Sequence, residues 1–239
     1  MKRVDVCIHE NFTRAKYTQE KYHRNIHILH NYPLYYDVQQ IPKGKLYELI
    51  GVSQDVPIFL YQGGIQEGRG LNNILEAAKY IDDGVFVFIG NGKKKEELKE
   101  RTKKMNLNGK VIFLDKVPYS KLKLYTADAF LGFQVIQDTC FNHYSASSNK
   151  LFEYILSEVP VIGSNLPEIS KVLKNEKVGI LVNPEIVGEL VEAINFLLTN
   201  RNEYLNIKKN CQIAKHNYTW NNEQKHLLAI YEEINNSPL

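Results

Sequence analysis

From Pro57 onward, six short apolar runs alternate with longer amphipathic segments, and no other feature of the chain restricts its fold as much. The runs lie at 58–61, 85–89, 111–114, 129–133, 159–162 and 178–182. They are close to continuously apolar, which suits strands covered on both faces. The segments between them, at 71–80, 94–105, 120–126, 149–157 and 168–174, carry helical patterns. Strand and helix in alternation are the sequence sign of βαβ units. The predicted fold class is therefore α/β, a Rossmann-like parallel sheet of about six strands with helices on both faces. The tail at 184–234 predicts two or three further helices and no strand.

The first 40 residues differ. An apolar run at 4–8, a polar helix-like stretch at 11–22 and a run at 26–29 make one strand, one helix and one strand, too little to close a domain alone. The aromatic and polar segment 34–40 between Pro33 and Pro42 reads as a connector. With 239 residues there is room for one ordinary domain and a fragment of another. The expected organisation is a domain remnant with its linker at 1–43, one complete α/β domain at 44–220 and a carboxyl-terminal helix at 221–239.

Thirty basic residues stand against 27 acidic ones, too close to balance to imply a nucleic-acid partner. Cys7, Cys140 and Cys211 are odd in number, far apart and without metal-ligand spacing, so they read as buried thiols in a reducing compartment. No apolar run approaches the roughly 18 residues that span a bilayer, and Met1-Lys2-Arg3-Val4-Asp5 lacks the hydrophobic stretch of a signal peptide. A cytoplasmic protein is expected. His27 and His30, three apart in a presumed strand, face opposite ways and cannot share a metal, and Cys140 with His143 is a lone pair in a loop. The absence of Asp-x-Asp, HExxH and GxSxG patterns removes support for metal-dependent sugar transfer and for the common hydrolase mechanisms.

Three turns carry the candidate chemistry. Tyr61-Gln62-Gly63-Gly64-Ile65-Gln66-Glu67-Gly68-Arg69-Gly70-Leu71 follows a strand and opens a helix, so its glycines admit a ligand close to the backbone and Arg69 can fork onto a diphosphate. A plain glycine-rich turn accounts for it equally well. In Ser145-Ala146-Ser147-Ser148-Asn149-Lys150-Leu151-Phe152-Glu153, Ser147 or Ser148 is a candidate N-cap. The amides of Asn149, Lys150 and Leu151 would then face an anion, and Glu153 could accept hydrogen bonds from a ribose diol. The bland alternative is a capped amphipathic helix. Gly90-Asn91-Gly92 followed by Lys93-Lys94-Lys95 puts a second flexible turn on the same sheet edge, with the lysines read as a solvated helix face.

Taken together with Ala127-Asp128-Ala129, Val159-Pro160-Val161-Ile162-Gly163-Ser164, Pro167-Glu168 and Tyr218-Thr219-Trp220, these motifs resemble one profile over about residues 50–234. It is the carboxyl-terminal, donor-binding half of the group-one glycosyltransferases of family four, which have the GT-B fold. The resemblance implies transfer of a sugar, with retention, from a nucleoside-diphosphate-sugar donor to a saccharide or lipid-linked acceptor, with no cofactor and no metal. It places Gly63, Gly64 and Arg69 at the diphosphate, with Gly90 on the adjoining turn. Ser148, Asn149, Lys150 and Leu151 would stand at the phosphate-binding helix start, Glu153 at the ribose, and Val117, in Lys116-Val117-Pro118, at the base. Arg69 and Glu153 would carry catalysis by positioning the donor and stabilising its leaving group.

Residues 4–31 resemble the last piece of the family's amino-terminal acceptor domain, and 32–43 its interdomain linker. This chain has Gly64 where many members carry an arginine, so one phosphate cation is missing or supplied elsewhere. Ser145 stands where the first acid of the family's E-x7-E pattern would stand, and most of the acceptor domain has no counterpart here. The alternative reading is a non-catalytic nucleotide-binding or docking subunit. It would work with a separate acceptor-domain partner or as a homo-oligomer, with Tyr17, Tyr22, Tyr32, Tyr35 and Tyr36 as contact aromatics. A third reading is a sugar-nucleotide epimerase or phosphorylase of the same fold. Polysaccharide assembly is the family's common role, and Lys93, Lys94, Lys95, Lys103 and Lys104 would allow at most peripheral contact with an anionic membrane.

Overall fold

In the computed structural model, which describes residues 6–236, the six apolar runs form one sheet in which every neighbouring pair is parallel. Its strands are β3 (Ile58–Gln62), β4 (Val85–Ile89), β5 (Val111–Leu114), β6 (Leu131–Gln134), β7 (Val161–Ser164) and β8 (Gly179–Val182), in the order β5-β4-β3-β6-β7-β8. A separate two-stranded parallel sheet joins β1 (Cys7–His9) to β2 (Ile26–Ile28). The helices are α1 (Phe12–Tyr22), α2 (Lys45–Ile50), α3 (Leu71–Ala77), α4 (Lys95–Lys104), α5 (Tyr119–Thr126), α6 (Phe141–Tyr144), α7 (Asn149–Leu156), α8 (Pro167–Glu176), α9 (Val187–Thr199), α10 (Arg201–Ala214) and α11 (Trp220–Asn236).

The chain runs outward from β3 to β5 and then returns to lay β6 on the other side of β3. The strand order therefore reverses between β3 and β6, and the loops leaving these two strands diverge to open a crevice at the carboxyl edge. The sheet core is dry and aromatic: Phe59, Phe86 and Phe133 are fully buried, with Phe59 edge-on to Phe86 at 4.8 Å. Gly132 leaves room for the ring of Tyr154 from α7, whose hydroxyl donates to the Leu60 carbonyl and accepts from the Gln62 amide. That tyrosine pins α7, and every group on its first turns, to the middle of the sheet.

β6 and β7 each begin two residues later than expected, at Leu131 and Val161, so the preceding apolar residues lie in the approach loops, and β7 runs on to Ser164. Of the expected first strand, Val4 lies outside the described residues. The sequence pattern also misses two short helices, α2 and α6. Each has six residues or fewer, so its stability comes from outside itself. At α2, the Asp128 carboxylate accepts from the amides of Gly44 and Leu46 at 2.7 and 2.8 Å, a cap supplied from 80 residues away along the chain.

Lys95 corrects the expectation of a solvated lysine face. It is buried, and its Nζ donates to the carbonyls of Gly90 and Leu114 and to the side chains of Asn91 and Asp115. Lys93, by contrast, is exposed. The early tyrosines divide in the same way. Tyr17, Tyr22 and Tyr35 are exposed, whereas Tyr32 packs against Phe152 and Tyr218, and Tyr36 hydrogen-bonds Ser157.

The early segments are tied to the large sheet's helices and loops. Asn11 caps α1 and also donates to the Ser145 carbonyl, Glu223 of α11 accepts from the His30 amide, and the Trp220 amide donates to the Pro33 carbonyl. The buried Glu158 carboxylate pairs with Lys215 and accepts from Gln212 and, at longer range, Gln39 of the connector.

Candidate functional site

The turn after β3 and the turn after β4 are stitched together by main-chain hydrogen bonds from Gly63 to Ile89 and from Ile65 to Asn91. The approach is so close that a Cβ on Gly90, whose φ is +153°, would collide with the Gly63 carbonyl. This is the physical demand for glycine in that turn. Lys95 holds the far side by joining the Gly90 turn to the strand end at Leu114 and Asp115.

Two clefts of about 290 Å³ each flank the Gly63-Gly64 turn. One is lined by Arg69, Ser148, Asn149, Lys150 and Glu153, and the other by Gly90, Asn91, Lys116 and Val117. The two clefts thus bring together the residues expected at the donor site except Leu151, which is buried in the core. A third cavity of about 330 Å³ opens beside Glu153, walled by Tyr35, Tyr36, Tyr119 and Leu122.

Ser148 is the N-cap of α7 by position, with extended backbone, but its side chain makes no capping hydrogen bond. The Leu151 amide donates to the Ser148 carbonyl at 3.1 Å, so the expected third phosphate-facing amide is already engaged. The amides of Asn149 and Lys150 have no acceptor among the described residues and stand at the positive end of the helix. Arg69, half-buried one residue ahead of Gly70, makes no hydrogen bond or ion pair among the described residues. Cation and amides at one cleft make an anion site.

Glu153 is oriented rather than free. Gln62 Nε2 donates to its Oε2 at 2.5 Å, and Gln62 Oε1 accepts from Thr126 Oγ1 at 2.8 Å, leaving Glu153 Oε1 without a partner among the described residues. Burial pushes the Glu153 carboxyl above its ordinary range, opposed by the Gln62 hydrogen bond and by the charge of Lys150. Lys150 is pushed down to about 7, first by burial and then by Arg69, with Glu153 acting the other way. Gln62 and Lys95 are the residues that reading the sequence missed. Gln62 had one visible signal, a polar side chain closing an otherwise apolar run at the carboxyl edge.

Ser145 is fully buried and lines neither cleft; Arg14 Nε donates to its hydroxyl, which donates to the Phe141 carbonyl. His27 lies 4.0 Å from Glu233, and His30 stacks on Tyr32. The three cysteines are unpaired, with Cys211 buried, Cys7 half-buried and Cys140 exposed.

The family model described as glycosyl transferases group 1 matches residues 48–213. The chain belongs to that family, and its fold is that of the GT-B glycosyltransferases. The sucrose-phosphate synthase of Thermosynechococcus elongatus superposes with a TM-score of 0.80 at 17% identity, over 97% of this chain and 59% of that one. Anabaena HepE, determined in complex with UDP-glucose, gives 0.83 at 15% identity, over 96% of this chain and 64% of that one. The pneumococcal O-GlcNAc transferase GtfA, determined with UDP and GlcNAc, gives 0.77 at 14%, over 99% and 46%. The chain therefore spans less than two thirds of the length of each. No curated protein sequence matches it. Among the described residues no helix is long and apolar enough to cross a membrane.

Proposed function

We propose that this chain supplies the donor half of a retaining glycosyltransferase, binding a nucleoside-diphosphate sugar and delivering the sugar to a saccharide or lipid-linked acceptor. The observation that carries the reading is the convergence, at the strand-order reversal, of Arg69, the two free amides of α7 and a Glu153 carboxylate held by Gln62. In this reading the diphosphate lies against Arg69 and the amides of Asn149 and Lys150, while Glu153 Oε1 accepts hydrogen bonds from the ribose hydroxyls. The base sits between the Gly90 turn and Val117. As the bond from the sugar to the diphosphate breaks, negative charge grows on the leaving group, and these fixed positive groups stabilise it.

Residues 44–220 form the donor domain in this proposal, with the described residues before 44 the end of an acceptor domain and its linker, and α11 a closing helix. Transfer requires both substrates held in one cleft, so the acceptor face belongs to a complementary α/β half. The remaining elements of the reading are a cytoplasmic location and a role in polysaccharide assembly.

Calorimetric titration with UDP, GDP, ADP and CMP tests the reading, repeated on Arg69→Ala and Glu153→Ala. Selective binding of one nucleoside diphosphate, weakened in both variants, supports it. No binding up to millimolar concentration overturns it in favour of a docking module.

A further inference from the structure

The donor reading leaves one group in the cleft without a task, the Lys150 side chain. It is 8% exposed, and its Nζ lies 3.8 Å from the Tyr61 ring centroid with no hydrogen bond or ion pair among the described residues. A buried cation is costly without a counter-charge, and a ring face replaces only part of the lost hydration. The amino group stands beside the Gly63 turn, 3.2 Å from where a side chain on Gly63 would begin, and on the wall of the cleft that Arg69 also lines. Neither Gly63 nor Gly64 offers a charge there. Among the described residues, two basic side chains that make no ion pair and two amides without an acceptor thus border one cleft of about 290 Å³, with Glu153 acting on Lys150 only at longer range. Donors spread between Arg69 and the start of α7 can engage more than one phosphoryl group.

We propose that the Lys150 ammonium is a second diphosphate ligand, which leaves the Tyr61 ring to pair with phosphoryl oxygens when the nucleotide binds. The role rests on the donor reading and adds to it a preference for diphosphates over monophosphates. Three charged or titratable groups face the amine: Tyr61 from β3, Arg69 from the turn before α3, and Glu153 on α7 itself. Burial keeps the Tyr61 hydroxyl far above its usual range, hence neutral. With Lys150 at about 7 in the empty cleft, an arriving diphosphate raises its proton affinity, so binding takes up part of a proton near neutral pH.

The test is calorimetry on the whole chain, using the nucleoside diphosphate that binds most tightly among UDP, GDP and ADP and its monophosphate. Two buffers of different ionisation enthalpy report the proton uptake. K150M should weaken the diphosphate about tenfold to a hundredfold, as for loss of a charge-assisted hydrogen bond, and the monophosphate less than about threefold. It should also remove the part of the proton uptake that Lys150 contributes, so the buffer dependence changes from that of the parent. Adding G64R should restore most of the diphosphate affinity: Gly64 is exposed, its φ is outside the left-handed region, and the nearest contact of an added Cβ is the Gln66 side chain at an ordinary 3.6 Å. Far-UV circular dichroism checks that the variants fold, and K150Q takes the place of K150M under the same expectations if K150M does not.

Unchanged diphosphate affinity in K150M, or equal loss of both nucleotides, overturns the role of Lys150 and leaves the donor reading standing. Absence of nucleotide binding by the unsubstituted chain overturns both.

Discussion

Gln62, the last residue of a buried central strand, donates to Glu153 at 2.5 Å across 91 positions of sequence, and Thr126 holds its other end at 2.8 Å. The relay leaves one carboxylate oxygen facing the cleft. Gln62→Leu keeps the volume and removes both contacts, so Glu153 stays buried without its donor. Nucleotide affinity is expected to fall about tenfold to a hundredfold, the cost of one buried hydrogen bond to a charged group. The carboxyl would rise further, so binding should be lost at a higher pH on acidification than in the parent. Titrations with nucleotide across pH 5 to 8 check this, and a superimposable profile would remove Gln62 from the positioning role.

Lys150 makes folding stability depend on pH. Its folded value, about 7, lies below the ordinary lysine value of 10.5, so between these limits the unfolded chain binds more protons than the folded one. Stability contributed at this site therefore rises with pH across that window, by up to about 5 kcal/mol. Thermal melts of the parent and of Lys150→Met at pH 7, 8 and 9 should diverge, with the variant more stable at the lower end and the gap closing as pH rises. A constant gap would contradict a depressed lysine.

Gly90→Ala puts a methyl group against the Gly63 carbonyl at a φ of +153°. Either the turn moves or the strand end does. A loss of about 1–3 kcal/mol is expected from the backbone strain, visible as a lower urea midpoint, together with weaker nucleotide binding because the Gly63-Gly64 turn is displaced. Gly109→Ala is a useful reference, since its φ is also positive but nothing lies within 4 Å of the added carbon.

Lys95→Met removes the buried amine that ties Gly90, Asn91, Leu114 and Asp115 together. Asp115 is largely exposed and recovers water, and Leu114 still accepts from the Gly90 amide, so the expected cost, about 1–3 kcal/mol, comes from the buried Gly90 carbonyl left without a donor. The cleft at Val117 should loosen as well. Hydrogen exchange at Gly90 and Lys116 would report it, and unchanged protection there would argue that the amine holds neither turn.

The sheet was legible because a strand covered on both faces must be apolar along its whole length, and runs such as 85–89 state that directly. So were the positions of the glycine turns and the start of α7, since these depend on a few neighbouring residues. The short helix α2 was not, because its cap is Asp128, which enters the sequence as part of an unrelated motif. The lysines show the limit most clearly. Lys93 and Lys95 sit two apart in one basic run, yet the first is exposed and the second is buried among four acceptors from two different turns.

Local chemistry in the sequence determined the class of fold, the alternating order of strand and helix, and the three turns where a ligand can approach. Spacing along the chain carries that information, because secondary structure responds to residues three or four apart. Only the tertiary structure decided that β6 returns beside β3, which makes the crevice and brings residues 62–69 against 148–153. It also decided that Glu153 has an orienting partner and that the Lys150 amine rests on the Tyr61 ring with no ion pair among the described residues. Those outcomes depend on burial and on contacts between segments 60 to 90 residues apart, which no local pattern encodes.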